Sequence, residues 1–296
     1  MFQIISDGGC DYNAEEAKKH NVEIVPFYIT FDDATHLKEG VDIEKEDFFK
    51  RLMADKTLFP KTSQPSPQDY IDVYRPYLEA GKDILTLTIS SKLSGSHASA
   101  VMAKDMLKDE YPDRTIMLID SLNVSIGQGL ILREIIRMRD AGYDLQKTTT
   151  LAKKILKATR VYCTLNSLEY LRRGGRIGPT TAVVGGLLGL RPILQLENGE
   201  VSQLDSVRGK KNAIKLISKA LIALLKDKTQ KISLCIGHIL SEEDATSFKA
   251  NAEAALNMKI ESPITEVGVT IGSHAGPGAL AFAYCGRYEV FEGGNA

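Results

Sequence analysis

Three residues of this chain have the types needed for chemistry on an acyl group. Ser94, Asp120 and His274 follow one another in the order nucleophile, acid, base that α/β-hydrolases use. The surroundings of Ser94 weaken that reading. A nucleophile elbow needs small residues on both sides of its serine, and position 92 is Lys rather than Gly. A serine hydrolase using Ser94, Asp120 and His274 therefore stands as the alternative, behind a site that only holds an anion. The stretch Ser90-Ser91-Lys92-Leu93-Ser94-Gly95-Ser96-His97 lies between an apolar run, Ile84 to Ile89, and a helical run, Ala98 to Leu107. Where a strand hands over to a helix, unpaired backbone N–H groups and the positive helix end converge on one spot.

Other small polar groups accompany it. Thr62-Ser63-Gln64-Pro65-Ser66-Pro67 is a hydroxyl cluster just before a helix, with Pro67 suited to the first turn. Ser6-Asp7 and Asp120-Ser121 end two further apolar runs. Each alone reads as a cap or turn; together they favour a site. Ser273-His274-Ala275-Gly276-Pro277-Gly278 is expected as a stiff loop after a strand, with His274 able to donate to a carboxylate or phosphate. Tyr170 to Ile177 gathers three arginines around a Gly pair, and arginine forks suit the same anions. The run Ala182 to Leu190 reads as a buried helix whose glycines leave room for a slender apolar ligand. No nucleotide-binding glycine loop and no metal-ligand spacing is present.

The elements that position these groups follow from periodicity. Strands are predicted over Gln3 to Ser6, Glu23 to Tyr28, Ile84 to Ile89 and Thr115 to Ile119. Helices are predicted over Asn13 to His20, Glu44 to Ala54, Ser66 to Ala80, Ala98 to Leu107 and Ser125 to Ala141. This alternation is that of a doubly wound parallel sheet, which binds ligands beyond the carboxyl ends of its strands. From about residue 160, strands Val161 to Leu165, Pro192 to Glu197, Val201 to Val207, Lys231 to His238 and Thr265 to Ile271 have fewer crossovers. Asn198-Gly199 marks a hairpin, and helices fall near Lys210 to Lys226 and Glu242 to Leu256. With 296 residues, the reading is an α/β domain over 1–160, a mixed α/β domain over 161–290 and a loose tail over 291–296.

Composition narrows the partners. A net charge of −1 with scattered basic residues argues against nucleic acid. The longest apolar stretch is about half the ~20 residues of a membrane span, and the start lacks a signal-peptide pattern, so a cytoplasmic protein is expected. Cys163 and Cys235 lie in apolar runs and read as reduced, buried thiols, and the four cysteines form no C-x-x-C pair.

Ser6-Asp7, Thr62 to Ser66, Ser90 to Ser96, Asp120-Ser121, Leu168 to Ile177, Arg191-Pro192-Ile193-Leu194 and Ile271 to Gly278 together resemble the successive signatures of the DegV family. The resemblance implies a two-domain α/β protein that binds one long-chain fatty acid and needs no cofactor. It is not itself an enzyme: it would present the carboxylate to a separate fatty-acid kinase, which makes acyl phosphate for phospholipid synthesis. By the same resemblance Thr62 and Ser94 hydrogen-bond the carboxylate and His274 helps hold it or its phosphate. Ser63, Gly95 and Ser121 stand close by. Arg173 would lie near the head group or the kinase-docking surface, joined there by Arg208. Ser96-His97 stands where the family more often shows Thr and an aromatic residue.

Overall fold

The computed structural model describes residues 2–32, 34–177, 189–228 and 231–292. Its first half begins with β1 (Gln3–Asp7), α1 (Ala14–Lys19) and β2 (Val22–Val25). A small antiparallel sheet follows, made of β3 (Tyr28–Thr30), β4 (Leu37–Lys38) and β5 (Lys61–Ser63), with α2 (Lys45–Ala54) between the last two. Next come α3 (Pro67–Glu79), β6 (Ile84–Thr88), α4 (Ser96–Leu107), β7 (Ile116–Asp120), α5 (Ile126–Asp140) and α6 (Leu145–Ala158).

Four of these strands form a parallel sheet in the order β2-β1-β6-β7. Every residue of β1 and β6 is buried, as strands covered on both faces require. Helices α3 and α4 pack on one face, through Tyr70, Tyr74, Ala100 and Leu107. On the other lies α5, most of whose residues are buried. Helix α3 starts where expected, because Ser66 and Asp69 form a reciprocal capping box and Pro67 fills the first turn.

The second half contains β8 (Arg160–Thr164), α7 (Glu169–Gly174), β9 (Leu190–Glu197), β10 (Glu200–Arg208), α8 (Lys210–Leu225) and β11 (Ile232–His238). It ends with α9 (Glu242–Leu256), β12 (Ile264–Glu266), α10 (Val269–Ala275) and β13 (Leu280–Gly286). Its mixed six-stranded sheet runs β10-β9-β8-β13-β11-β12, antiparallel except for the last pair. Helices α8 and α9 cover its outer face around Phe248 and Phe282, while α5 packs on its inner face beside β11 and β13.

Three expectations are corrected. The strand over Glu23 to Tyr28 is two strands in different sheets, split at Pro26, which has no N–H for a ladder. The strand over Thr265 to Ile271 stops at Glu266, and helix α10 begins at Val269. Its β-branched residues favour a strand, but carboxylates from elsewhere in the chain cap its first N–H groups and tertiary contacts override propensity. His274 is therefore in the last turn of a helix rather than in a loop. The helix expected over Ala182 to Leu190 lies outside the described residues except at its end, where Leu190 opens β9; the tail beyond Glu292 also lies outside them.

Candidate functional site

Asp7, at the end of β1, organises the Ser90–Ser96 loop from beneath. Its carboxylate accepts from the backbone N–H of Gly9 (3.2 Å) and Ile89 (3.0 Å), from Gln128 Nε2 (2.9 Å) and from Ser96 Oγ (2.6 Å). Burial pushes its pKa up, and these bonds oppose the shift. From the other half, Gly199 at the β9–β10 turn accepts from Ser90 Oγ at 2.7 Å. The loop is thus held from both halves, with Ser94 at the start of α4.

The side chains singled out in sequence meet around one cavity. Thr62, Ser63, Ser94, Arg176 and His274 line its polar end, and its remaining wall is largely apolar, with Ile89, Ile126, Val161, Leu165 and Val267. Its volume is about 460 Å³, inside the range of small-molecule sites. The floor is a row across four neighbouring strands: Gly237, Ala281, Cys163 and Leu194 face one another in register. Three of those four residues are small, and the sheet leaves space there. Cys163 is half-buried and Cys235 buried, both as free thiols; burial pushes Cys163 up to about 12, so it stays a neutral thiol.

His274 Nε2 lies 2.8 Å from Thr62 Oγ1. Its Nδ1 is buried with no hydrogen-bond partner among the described residues, and a Cβ on Gly174 would come within 2.2 Å of it. Burial, helped by Arg176, pushes the ring down to about 4 and keeps it neutral at pH 7. A bare Nδ1 is the cheaper of the two tautomers here, since orphaned buried N–H groups are rarer and costlier than orphaned acceptors. Nε2–H then donates to Thr62, leaving the Thr62 hydroxyl proton to point elsewhere. Ser94 Oγ accepts from Ser96 N–H at 3.2 Å, so its proton is also uncommitted. Two hydroxyl donors and an arginine line one end of an apolar cavity. That arrangement is suited to holding an anion and offers it no activated nucleophile.

The hydrolase triad does not assemble. Asp120 accepts from the backbone N–H of Ser91 and Leu122, at 3.1 and 3.0 Å, and lies outside the cavity wall, while His274 bonds Thr62. Ser121 is also away from the cavity: its hydroxyl is buried in a turn, donating to the Asn123 carbonyl and accepting from its N–H. Gly95 sits under Gln64, which accepts its N–H at 3.0 Å and would meet a Cβ there at 2.4 Å.

Among the arginines, Arg176 rather than Arg173 lines the cavity. Helix α7 ends at Gly175 in the left-handed region (φ 67°), and the reversed chain brings Arg176 back to donate to the Leu93 and Gly174 carbonyls. The Gly pair in the sequence was the signal for this turn. Arg173 is exposed, pairing with Glu169 at 2.6 Å and lying 3.9 Å over the Phe59 ring. Arg208, exposed at the end of β10, is likewise outside the cavity wall. Gln64 and Asp7 were present in the quoted motifs, but nothing in their spacing assigned them a contact. Among the described residues no three His, Cys, Asp or Glu side chains are grouped to hold a metal, and no helix is long and apolar enough to cross a membrane.

Fold and cavity define an α/β protein with a parallel sheet, a mixed sheet and a small antiparallel one, enclosing an apolar chamber with hydroxyls and an arginine at one end. The family model of the DegV family of uncharacterised proteins matches residues 1–287, and the chain belongs to that family. A DegV domain-containing protein of Caldanaerobacter subterraneus subsp. tengcongensis is 32% identical over 280 residues, covering 93% of this chain and 95% of that one. Among solved structures, a stearic acid-binding protein from Eubacterium ventriosum superposes with a TM-score of 0.93 at 30% identity, covering 98% of this chain and 100% of its own. A fatty acid-binding DegV family protein from Thermus thermophilus gives 0.86 at 29% identity, covering 96% and 99%.

Proposed function

We propose that this chain binds one long-chain fatty acid, with the carboxylate between Thr62, Ser94 and His274 beside Arg176 and the acyl tail along the apolar wall. The observation that carries the reading is the form of the cavity: about 460 Å³, apolar along its length and rich in uncommitted hydroxyl donors at one end. Burying about 15 methylenes at ~0.8 kcal/mol each supplies about 12 kcal/mol before ordering costs, so the tail drives binding and the polar end sets its direction. The fatty acids held by the two structural relatives support the same ligand class. In this reading the ligand sits at the junction of an α/β domain over 1–160 and a second over 161–290.

The chain is not the catalyst in this proposal. It presents the carboxylate in the cytoplasm to a separate fatty-acid kinase, which forms the acyl phosphate used in phospholipid synthesis; Arg173 and Arg208, both exposed, are offered as part of that contact. Native mass spectrometry of the gently purified protein is expected to show one fatty acid per chain. Repeated isolation without lipid, together with failure to take up oleate or palmitate, would refute the binding role. Formation of acyl phosphate from oleate and ATP by a fatty-acid kinase should require this chain, and kinase activity on free oleate at the same rate would remove the presenting role.

A further inference from the structure

Helix α10, which carries His274, is strung between two points of one small sheet. Its last turn meets Thr62, on β5, through His274 Nε2. Its first turn meets Glu39, just after β4, whose carboxylate accepts the N–H groups of Val269 and Thr270 (3.2 Å to the latter) and the Thr270 hydroxyl. Strand β3 lies between the two attachment points. A second carboxylate, Asp11, accepts the Gly268 N–H at 3.0 Å and the Ser125 hydroxyl. Among the described residues, every hydrogen bond that the Glu39 carboxylate accepts comes from α10.

Glycines let α10 sit that close. A Cβ on Gly268 would come within 2.6 Å of Glu39 Oε1, one on Gly272 within 2.8 Å of the Phe49 ring, and one on Gly276 within 2.4 Å of Tyr170. The helix is seven residues long, too short to hold its own place, so these contacts fix where its C-terminal turn falls. A displacement of a few tenths of an ångström there would lengthen the 2.8 Å contact that turns the Thr62 hydroxyl proton toward the cavity.

We propose that Glu39 is a positioning residue for the carboxylate end of the cavity: it fixes α10, and through α10 the contact of His274 Nε2 with Thr62 Oγ1. The inference rests on the fatty-acid reading above and extends it to a residue at the end of α10 opposite His274. Lys45, which donates to the Glu266 carbonyl at 2.7 Å, supplies the neighbouring positive charge and partly offsets the buried acids.

The test compares oleate with oleyl alcohol, which has the same tail and no carboxylate, on Glu39→Ala, Glu39→Gln, His274→Ala and the Glu39→Ala/His274→Ala double variant. Glu39→Ala is expected to weaken oleate about tenfold and oleyl alcohol less than about twofold, and Glu39→Gln to retain oleate binding within about threefold. In the His274→Ala background, Glu39→Ala should add less than about twofold, because a residue that acts through another couples to it in a double-mutant cycle. Equal losses for both ligands, or additive effects with His274→Ala, would overturn the proposal. The His274 ring ¹⁵N resonances in unliganded protein give an independent readout. They should move in Glu39→Ala, and an unmoved ring refutes positioning even if the parent protein takes up no oleate. Should Glu39→Ala not fold, Glu39→Asp, whose shorter carboxylate draws back from the first turn of α10, carries the same ring measurement and the same ligand comparison.

Discussion

At the scale of residues, the site depends on which protons are uncommitted. Thr62→Val keeps the shape of the side chain but removes the hydroxyl and orphans His274 Nε2. Ser94→Ala removes the second donor. Each is expected to weaken oleate about tenfold, on the order of 1.5 kcal/mol for a hydrogen bond to a charged group, as isothermal titration would measure. Unchanged affinity in Ser94→Ala would reduce that residue to a turn-former for Ser96. The titration of His274 gives a second prediction. Its pKa falls from an ordinary 6.5 to about 4 on folding. The stability tied to its neutrality is complete above pH 6.5 and is lost as pH falls toward 4, by about 3 kcal/mol in total. Asp11 acts oppositely: burial pushes it up to about 7, so the stability tied to its protonated form is complete below about pH 4 and is lost as pH rises toward 7. Urea unfolding from pH 4 to 7.5 should therefore show the acid-side loss reduced in His274→Gln, and the loss on raising pH reduced in Asp11→Asn.

Elements set the shape that residues fill. The row Gly237, Ala281, Cys163 and Leu194 comes from four strands far apart in sequence, and only their register puts three small residues side by side. Two positions along each strand, on the same face, Cys235, Ala283, Val161 and Leu196 lie in register and are packed into the core. Ala281→Leu is expected to fill the chamber, lowering palmitate affinity at least about tenfold while a short acid such as octanoate still binds, with the melting temperature held within a few degrees. Competition by native mass spectrometry would read this directly, and full palmitate binding would show that the tail runs elsewhere. Elements also explain which parts of the sequence were legible. The apolar run of β6, the capping box of α3 and the Asn-Gly hairpin are local signals and appear where local rules put them. Helix α10 was misread because its capping carboxylates, Glu39 and Asp11, are some 230 and 257 residues away in the chain.

Across the whole molecule, α5 is the shared layer. It lies on the parallel sheet and on β11 and β13 of the mixed sheet, and its Glu134 is fully buried, accepting from Ser233 Oγ (2.8 Å), Tyr288 N–H (2.9 Å) and Arg137 (2.7 Å). The two halves therefore share a core. A fragment of residues 1–160 would leave Ile126, Leu130 and Glu134 without the second sheet. It is expected to bind a hydrophobic dye and to lack a cooperative unfolding transition, seen by fluorescence and circular dichroism. A sharp two-state transition in that fragment would show autonomy instead. For the intact chain, oleate at 100 times its dissociation constant should add about 2.7 kcal/mol to unfolding, which thermal scans would register.

By itself the sequence determined the alternation of elements, the polar strand ends and the family motifs, because turn chemistry, capping and hydrophobic period act over a few residues. It also carried Thr62, Ser94 and His274. Only the tertiary structure decided that Arg176 rather than Arg173 faces the cavity, that Asp120 and Ser121 do not, and that Glu39 holds the helix of His274. Those outcomes depend on strand register and chain reversal, which bring together residues with no spacing relation in the sequence.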